Sequence, residues 1–208
     1  MLMNTTRRML AVALVLGSSA AAQAQVGSGW TQYSPSSTLQ NDDTGGCSYT
    51  NSGGIETFRM FNPVCNRIER RVNNNYTTGQ RQFQGEVRVS SPTNDEAVHQ
   101  VFGRDNADDG SAPAMHIRAY SANGGYLTRS GWAGSKTLVS GIYNTWVRVN
   151  TVHNTAANTI DTYINGVLKD SGYPGGGNVN HYTKYGSYGT LKTSSAKVEW
   201  RNVKHFRK

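Results

Sequence analysis

Three short stretches carry polar or ionisable side chains at every second position. Arg67, Glu69 and Arg71 alternate in "RIERRV", Gln100 and Phe102 in "HQVFG", and Tyr182, Lys184, Gly186 and Tyr188 in "HYTKYGSYGT". A strand sends alternate side chains to opposite faces, so each set shares one face if these stretches are strands. A fourth stretch, "AMHIRAY", aligns His116, Arg118 and Tyr120 in the same way. Arginine, lysine and glutamine donate hydrogen bonds to anions, arginine bidentately. A tyrosine has an ordinary pKa of about 10, and cationic neighbours bring it toward proton transfer near neutral pH. Gly186 is the odd member, because a glycine inside a strand marks a close approach by a ligand or by another backbone.

The elements that must position these residues are strands. Gly, Ser, Thr, Asn and Tyr are abundant, long helical periodicity is absent, and short alternating runs sit between turn-rich clusters. That pattern predicts an all-β sandwich or barrel. Strands are expected over 55–61, 67–72, 82–89, 97–103, 114–120, 146–153, 159–164, 182–190 and 196–206. Loops are expected at "NDDTGG", "SSPTND", "RDNADDGSAP" and "SGYPGGGN", where Gly, Pro, Asn and Asp cluster. Asn165-Gly166 is a tight-turn signal between two alternating runs and predicts a hairpin. The polar faces can line one concave sheet, since an antiparallel sheet keeps one face polar at no cost to its core.

The first 24 of 208 residues look like a secretory signal, with Arg7 and Arg8, an apolar run from Met9 to Leu16, and Ala22-Gln23-Ala24 before the cut. The run is too short to span a bilayer; a short membrane anchor is the alternative. Residues 25–208 then form one domain, exported and with no membrane segment. In such a chain Cys47 and Cys65 are expected to form a disulfide, with two free thiols as the alternative. The net charge is +8, and it is 8 − 2 = +6 without Arg7 and Arg8. A basic exported protein attracts polyanions, acidic polysaccharides and nucleic acids alike.

The motifs narrow the choice. "RIERR" resembles the R-x-E-x-R pattern of the alginate lyase-like polysaccharide lyases, family 7 and its relatives. "QVF" falls where that family carries Gln-Ile/Val-His, and "YTKYGSY" is similar to its Y-F-K-A-G-x-Y. The three occur in family order along most of the chain, and Gln-x-Phe together with "QFQG" looks closest to the glucuronan lyase branch. The resemblance implies a jelly roll of two antiparallel sheets, with substrate along the concave one, and β-elimination of a uronic-acid polymer. The carboxylate of the sugar must be neutralised before the C5 proton can leave, and preorganised donors do this. Arg67 or Arg71 and Gln100 would hold the carboxylate. Tyr188 matches the family's catalytic tyrosine and would act as base and acid. Glu69 would orient the arginines, Tyr182, Lys184, Phe102 and Arg118 would contact sugar, and Gly186 would leave room for the polymer.

One position departs from the pattern. The family histidine is Phe102 here, which puts histidine-based proton abstraction in doubt. His116 is the candidate substitute, on a strand shortly after Gln100; the plain alternative is a histidine in an ordinary strand. His99 should face away from Gln100. A non-catalytic carbohydrate-binding jelly roll is the runner-up function. A glycoside hydrolase would need two carboxylates flanking one bond, and Glu69 has no carboxylate partner on its strand. No metal or other cofactor is expected: Asp42, Asp43, Asp105, Asp108 and Asp109 lack calcium-loop spacing, and no Cys/His cluster suggests zinc. The expected partner is an anionic polysaccharide rather than nucleic acid, for which no motif or concentrated basic stripe is present, and the expected state is a monomer.

Overall fold

The computed structural model describes residues 25–41, 45–105 and 112–208. The expected signal, and the aspartates at 42, 43, 108 and 109, lie outside the described residues. Two antiparallel sheets stack face to face as a jelly-roll sandwich. The first runs β13 (Val167–Pro174), β12 (Thr159–Ile164), β11 (Val147–Asn154), β6 (Gln80–Ser90), β15 (Ala196–Arg207), β4 (Ile55–Met60) and β3 (Cys47–Ser52), with β1 (Thr31–Tyr33) also on β15. The second runs β10 (Lys136–Ser140), β9 (Tyr126–Ser130), β8 (Pro113–Tyr120), β7 (Glu96–Phe102), β14 (Tyr182–Tyr188), β5 (Arg67–Val72) and β2 (Ser37–Asn41). No helix among the described residues is long and apolar enough to cross a membrane.

Alternation builds the core. Phe58, Phe83, Val87, Val198 and Trp200 from the first sheet meet Ile68, Val98, Met115, Ile117 and Leu127 from the second, all essentially buried. Each such side chain contributes about 1.5–3 kcal/mol on burial. His99 points into this core, as its parity requires, and stacks on Phe83 with centroids 4.1 Å apart. Residues 67–72 and 159–164 form strands with the expected bounds, and Asn165-Gly166 turns the β12–β13 hairpin with both residues at positive φ.

Two expectations need correction. Half of "SGYPGGGN" is strand: β13 continues through Pro174, because Tyr173 buries its ring and pairs with Ile160. The remaining loop is tied down, with Gly175 N bonded to Asn158 O, Gly177 N to Asn158 Oδ1 and Asp105 N to Gly176 O. Gly186 does not make room for a ligand. A Cβ there would lie 2.5 Å from Glu69 Cα and 2.6 Å from Ile68 O, so β5 itself fills the space. Gly186 also sits at φ +144°, where β14 slips one residue against β7 between Tyr185 and Tyr188. Cys47 and Cys65 form a disulfide that joins β3 of the first sheet to the segment entering β5 of the second.

Candidate active site

Cross-strand register gathers the polar residues into rows on the outer face of the second sheet. Lys184 lies opposite Arg71 on one side and Gln100 on the other, and Gln100 lies opposite His116. Tyr182 lies opposite Phe102, which in turn lies opposite Pro113. Above these rows is a cavity of about 360 Å³ lined by Gln40, Arg67, Glu69, Gln100, Phe102, Pro113, His116, Tyr182, Lys184 and Tyr188.

Glu69 is the hub. Its Oε1 accepts from Lys184 Nζ at 3.0 Å and stands 3.4 Å from Arg67 Nε, while Oε2 accepts from Gln100 Nε2 at 2.6 Å. Glu69 lines the cavity with 1% of its surface exposed, and its oxygens are occupied by Lys184, Arg67 and Gln100. Burial pushes the Glu69 carboxyl up, against the pull of Lys184 and Arg67, and pushes the Lys184 ammonium down. Two cations face one carboxylate, so the cavity keeps a positive excess. Gln100 spends one amide N–H on Glu69 and has a second to offer.

Phe102 and Tyr182 stack as an aromatic floor with centroids 4.8 Å apart and 17° between planes, and Lys184 Nζ stands 4.9 Å from the Phe102 centroid. His116 closes the opposite wall. Burial first, then Arg118 and Lys184, hold its imidazole down to about 4, and its Nε2 is buried without a hydrogen-bond partner. His116 is thus a neutral imidazole with an unpaired nitrogen beside cations. Arg67 lies over the Tyr188 ring at 5.1 Å.

Two expected site residues lie outside this cavity. Arg71 is drawn to the end of β5, where it covers the Tyr182 ring at 4.0 Å and donates to Asn73 and Asn75. Lys184, not Arg71, is the second cation that lines the cavity beside Arg67. Arg118 is held by Asp95 and lines a separate hollow. Gln40 and Pro113 are in the wall although their sequence context does not mark them. The alternation of Thr38 and Gln40 around the inward Leu39 is the one signal for Gln40, a short one. Among the described residues no three His, Cys, Asp or Glu side chains converge as a metal site.

The stacked sheets match known structures over most of their length. A marine family 7 alginate lyase from Zobellia galactanivorans superposes with a TM-score of 0.64 at 16% identity, covering 77% of this chain and 80% of that one. An alginate lyase from Pseudomonas aeruginosa superposes at 0.63 with 12% identity, covering 77% and 86%. This is the alginate lyase-like fold. A family 7 alginate lyase in complex with product also superposes at 0.62 with 16% identity, covering 77% of this chain and 83% of that one. By sequence, the chain is 33% identical over 157 residues to a citrate-binding protein of Hevea brasiliensis, covering 72% of this chain. It spans 60% of the length of that curated relative. No protein-family model matches the chain.

Proposed function

We propose that the protein is a secreted polysaccharide lyase that cleaves a uronic-acid polymer, glucuronan or an alginate-like chain, by β-elimination. The observation that carries this reading is the convergence of Arg67, Lys184, Gln100, His116 and Tyr188 on one cavity of the second sheet. Arg67, Lys184 and the free amide N–H of Gln100 hold the sugar carboxylate and take up the charge that develops on it. The C5–H bond then breaks to a base, the C4=C5 double bond forms, the C4–O4 bond breaks, and O4 receives a proton. Tyr188 serves these proton transfers as base and acid. His116, neutral and unpaired at its buried Nε2, stands in for the histidine that Phe102 replaces, and a bound carboxylate beside it would raise its proton affinity. Glu69 holds the cations in place, and a two-carboxylate hydrolysis is disfavoured because Glu69 is the sole carboxylate among the described lining residues. Export is supported by the leader pattern and by the disulfide.

A second reading, binding of an acidic sugar or small polycarboxylate without turnover, is favoured by Phe102 and by the citrate-binding relative. One assay separates them. The protein from Gln25 onward is incubated with glucuronan, polymannuronate, polyguluronate and pectate while ultraviolet absorbance is followed. Elimination leaves an absorbing unsaturated sugar, and a rise on one polymer is expected. No rise on any polymer, together with saturable binding of citrate, would replace the lyase by the binder.

A further inference from the structure

A second hollow, of about 350 Å³, adjoins the main cavity beyond Tyr188. Its walls are Asn66, Arg67, Arg118, Tyr188, Gly189 and Thr190, so Arg67 and Tyr188 belong to both. Register explains the division. Arg67 lies opposite Tyr188, Tyr188 opposite Ala97, and Ala97 opposite Arg118. The row across four strands is Arg, Tyr, Ala, Arg, with only a methyl group between the tyrosine and the second arginine.

Arg118 is held in advance. Its Nε donates to Asp95 Oδ1 at 2.8 Å and its Nη2 to Asp95 O at 2.5 Å. Asp95 is shared with Lys192, and Glu96, buried behind Gly189, also interacts with both cations, its carboxyl pushed up to about 7 by burial. Arg67 Nε has no hydrogen-bond acceptor. The hollow therefore has two guanidinium groups on its walls, and its lining residues include no acid, the carboxylates of Asp95 and Glu96 lying behind them. Arg118 follows His116 by two residues on β8, about 7 Å at the antiparallel rise, which is the scale of one sugar ring.

We propose that this hollow is a second carboxylate subsite, in which Arg118, fixed by Asp95, takes the carboxylate of the uronate adjoining the one in the main cavity. The inference rests on the polyuronate reading. It places Tyr188 at the linkage between two held sugars. Arg118 then selects for polymers charged on consecutive units, and a neutral neighbour would bind less well.

The test is calorimetric titration of the Tyr188→Phe protein, so that nothing is turned over, with glucuronate and with its disaccharide. Arg118→Gln is expected to weaken the disaccharide about tenfold or more while changing the monosaccharide by less than about twofold. Arg118→Lys should recover part of the loss. Thr190→Trp, at the exposed rim, should produce the same selective loss without touching the Arg118–Asp95 pair. Arg118→Gln binding the disaccharide like its parent, or losing both sugars equally, would overturn the subsite. Turnover of a polyuronate by the unsubstituted protein with an indifferent Arg118 removes the subsite and keeps the lyase. An Arg118-dependent disaccharide preference without turnover keeps the subsite and removes the lyase.

Discussion

Glu69 and Glu199 have nearly the same company. Each faces one arginine and one lysine on the outer face of a sheet: Arg67 and Lys184 for Glu69, Arg88 and Lys197 for Glu199. Both are almost fully shielded, at 1% and 5% exposure. Yet burial pushes the Glu69 carboxyl up, whereas Arg88 and Lys197 overcome burial and hold Glu199 down. The difference is depth. The cations over Glu199 remain open to water, about a third exposed, so water screens the set. Arg67 is as open as they are, but Lys184 is only 6% exposed, so its charge and that of Glu69 are both costly. Alternating charge on a strand is therefore no sign of function by itself; the burial of its partner cation makes the distinction.

The sharpest break in that comparison is at the tyrosine over the Glu69 cluster. Tyr188→Phe is expected to lower kcat on a polyuronate by about 10²–10⁴, the range of acid–base contributions, with polymer binding nearly unchanged. Steady-state ultraviolet assays and a binding titration would check it, and full turnover would remove Tyr188 from the chemistry. Next in size is Glu69→Gln, which strands Lys184 and Arg67 and should cost about 3–5 kcal/mol in a urea titration.

Acidification sharpens the same point about depth. Burial holds His99 and His153 down to about 3 and His116 and His205 down to about 4. The unfolded chain binds protons at these sites below pH about 6.5, so the stability they permit is complete above that pH and is lost as pH falls toward 4. Glu96, pushed up to about 7 by burial, works in the opposite sense and recovers stability as pH falls through 7. Glu69, also pushed up by burial, acts in the same sense as Glu96; four groups outweigh two, so the denaturation midpoint should be lower at pH 5 than at pH 7.5. The smallest effect is expected from Glu199→Gln, at about 1 kcal/mol or less in the same titration. A cost equal to that of Glu69→Gln would erase the contrast between the sheets.

Much of the outer face of the second sheet was legible because its parity is simple. Arg67 with Glu69, and Tyr182 with Lys184 and Tyr188, reach one cavity by alternation alone, and His116 does so through its register with Gln100. What was not legible depends on neighbours. β1, β2, β3, β9 and β10 lie outside the expected strands; β3 and β10 are exposed over much of their length and lack apolar alternation, and β1, β2 and β9 are no longer than five residues. Arg71 has the same parity as Arg67, but Asn73 and Asn75 beyond the strand draw it away. Gly186 offered two explanations, ligand or backbone, and only the path of β5 past it decides for backbone. The hollow beside Arg118 arises from a row across four strands that are distant in sequence.

The bond between Cys47 and Cys65 has a mechanical consequence. It links the two sheets near the edge formed by β3 and β2, through the segment that enters β5, two residues before Arg67. The sandwich is in this sense bound along one spine, and at its opposite edge β10 and β13 meet only through non-covalent packing. Transient opening should then hinge at the spine and begin at the free edge. Amide exchange would be fastest in β10 and β13, and β5, which carries Arg67 and Glu69, would stay closed longest. Reduction would release the spine and let the wall of the cavity move with the rest.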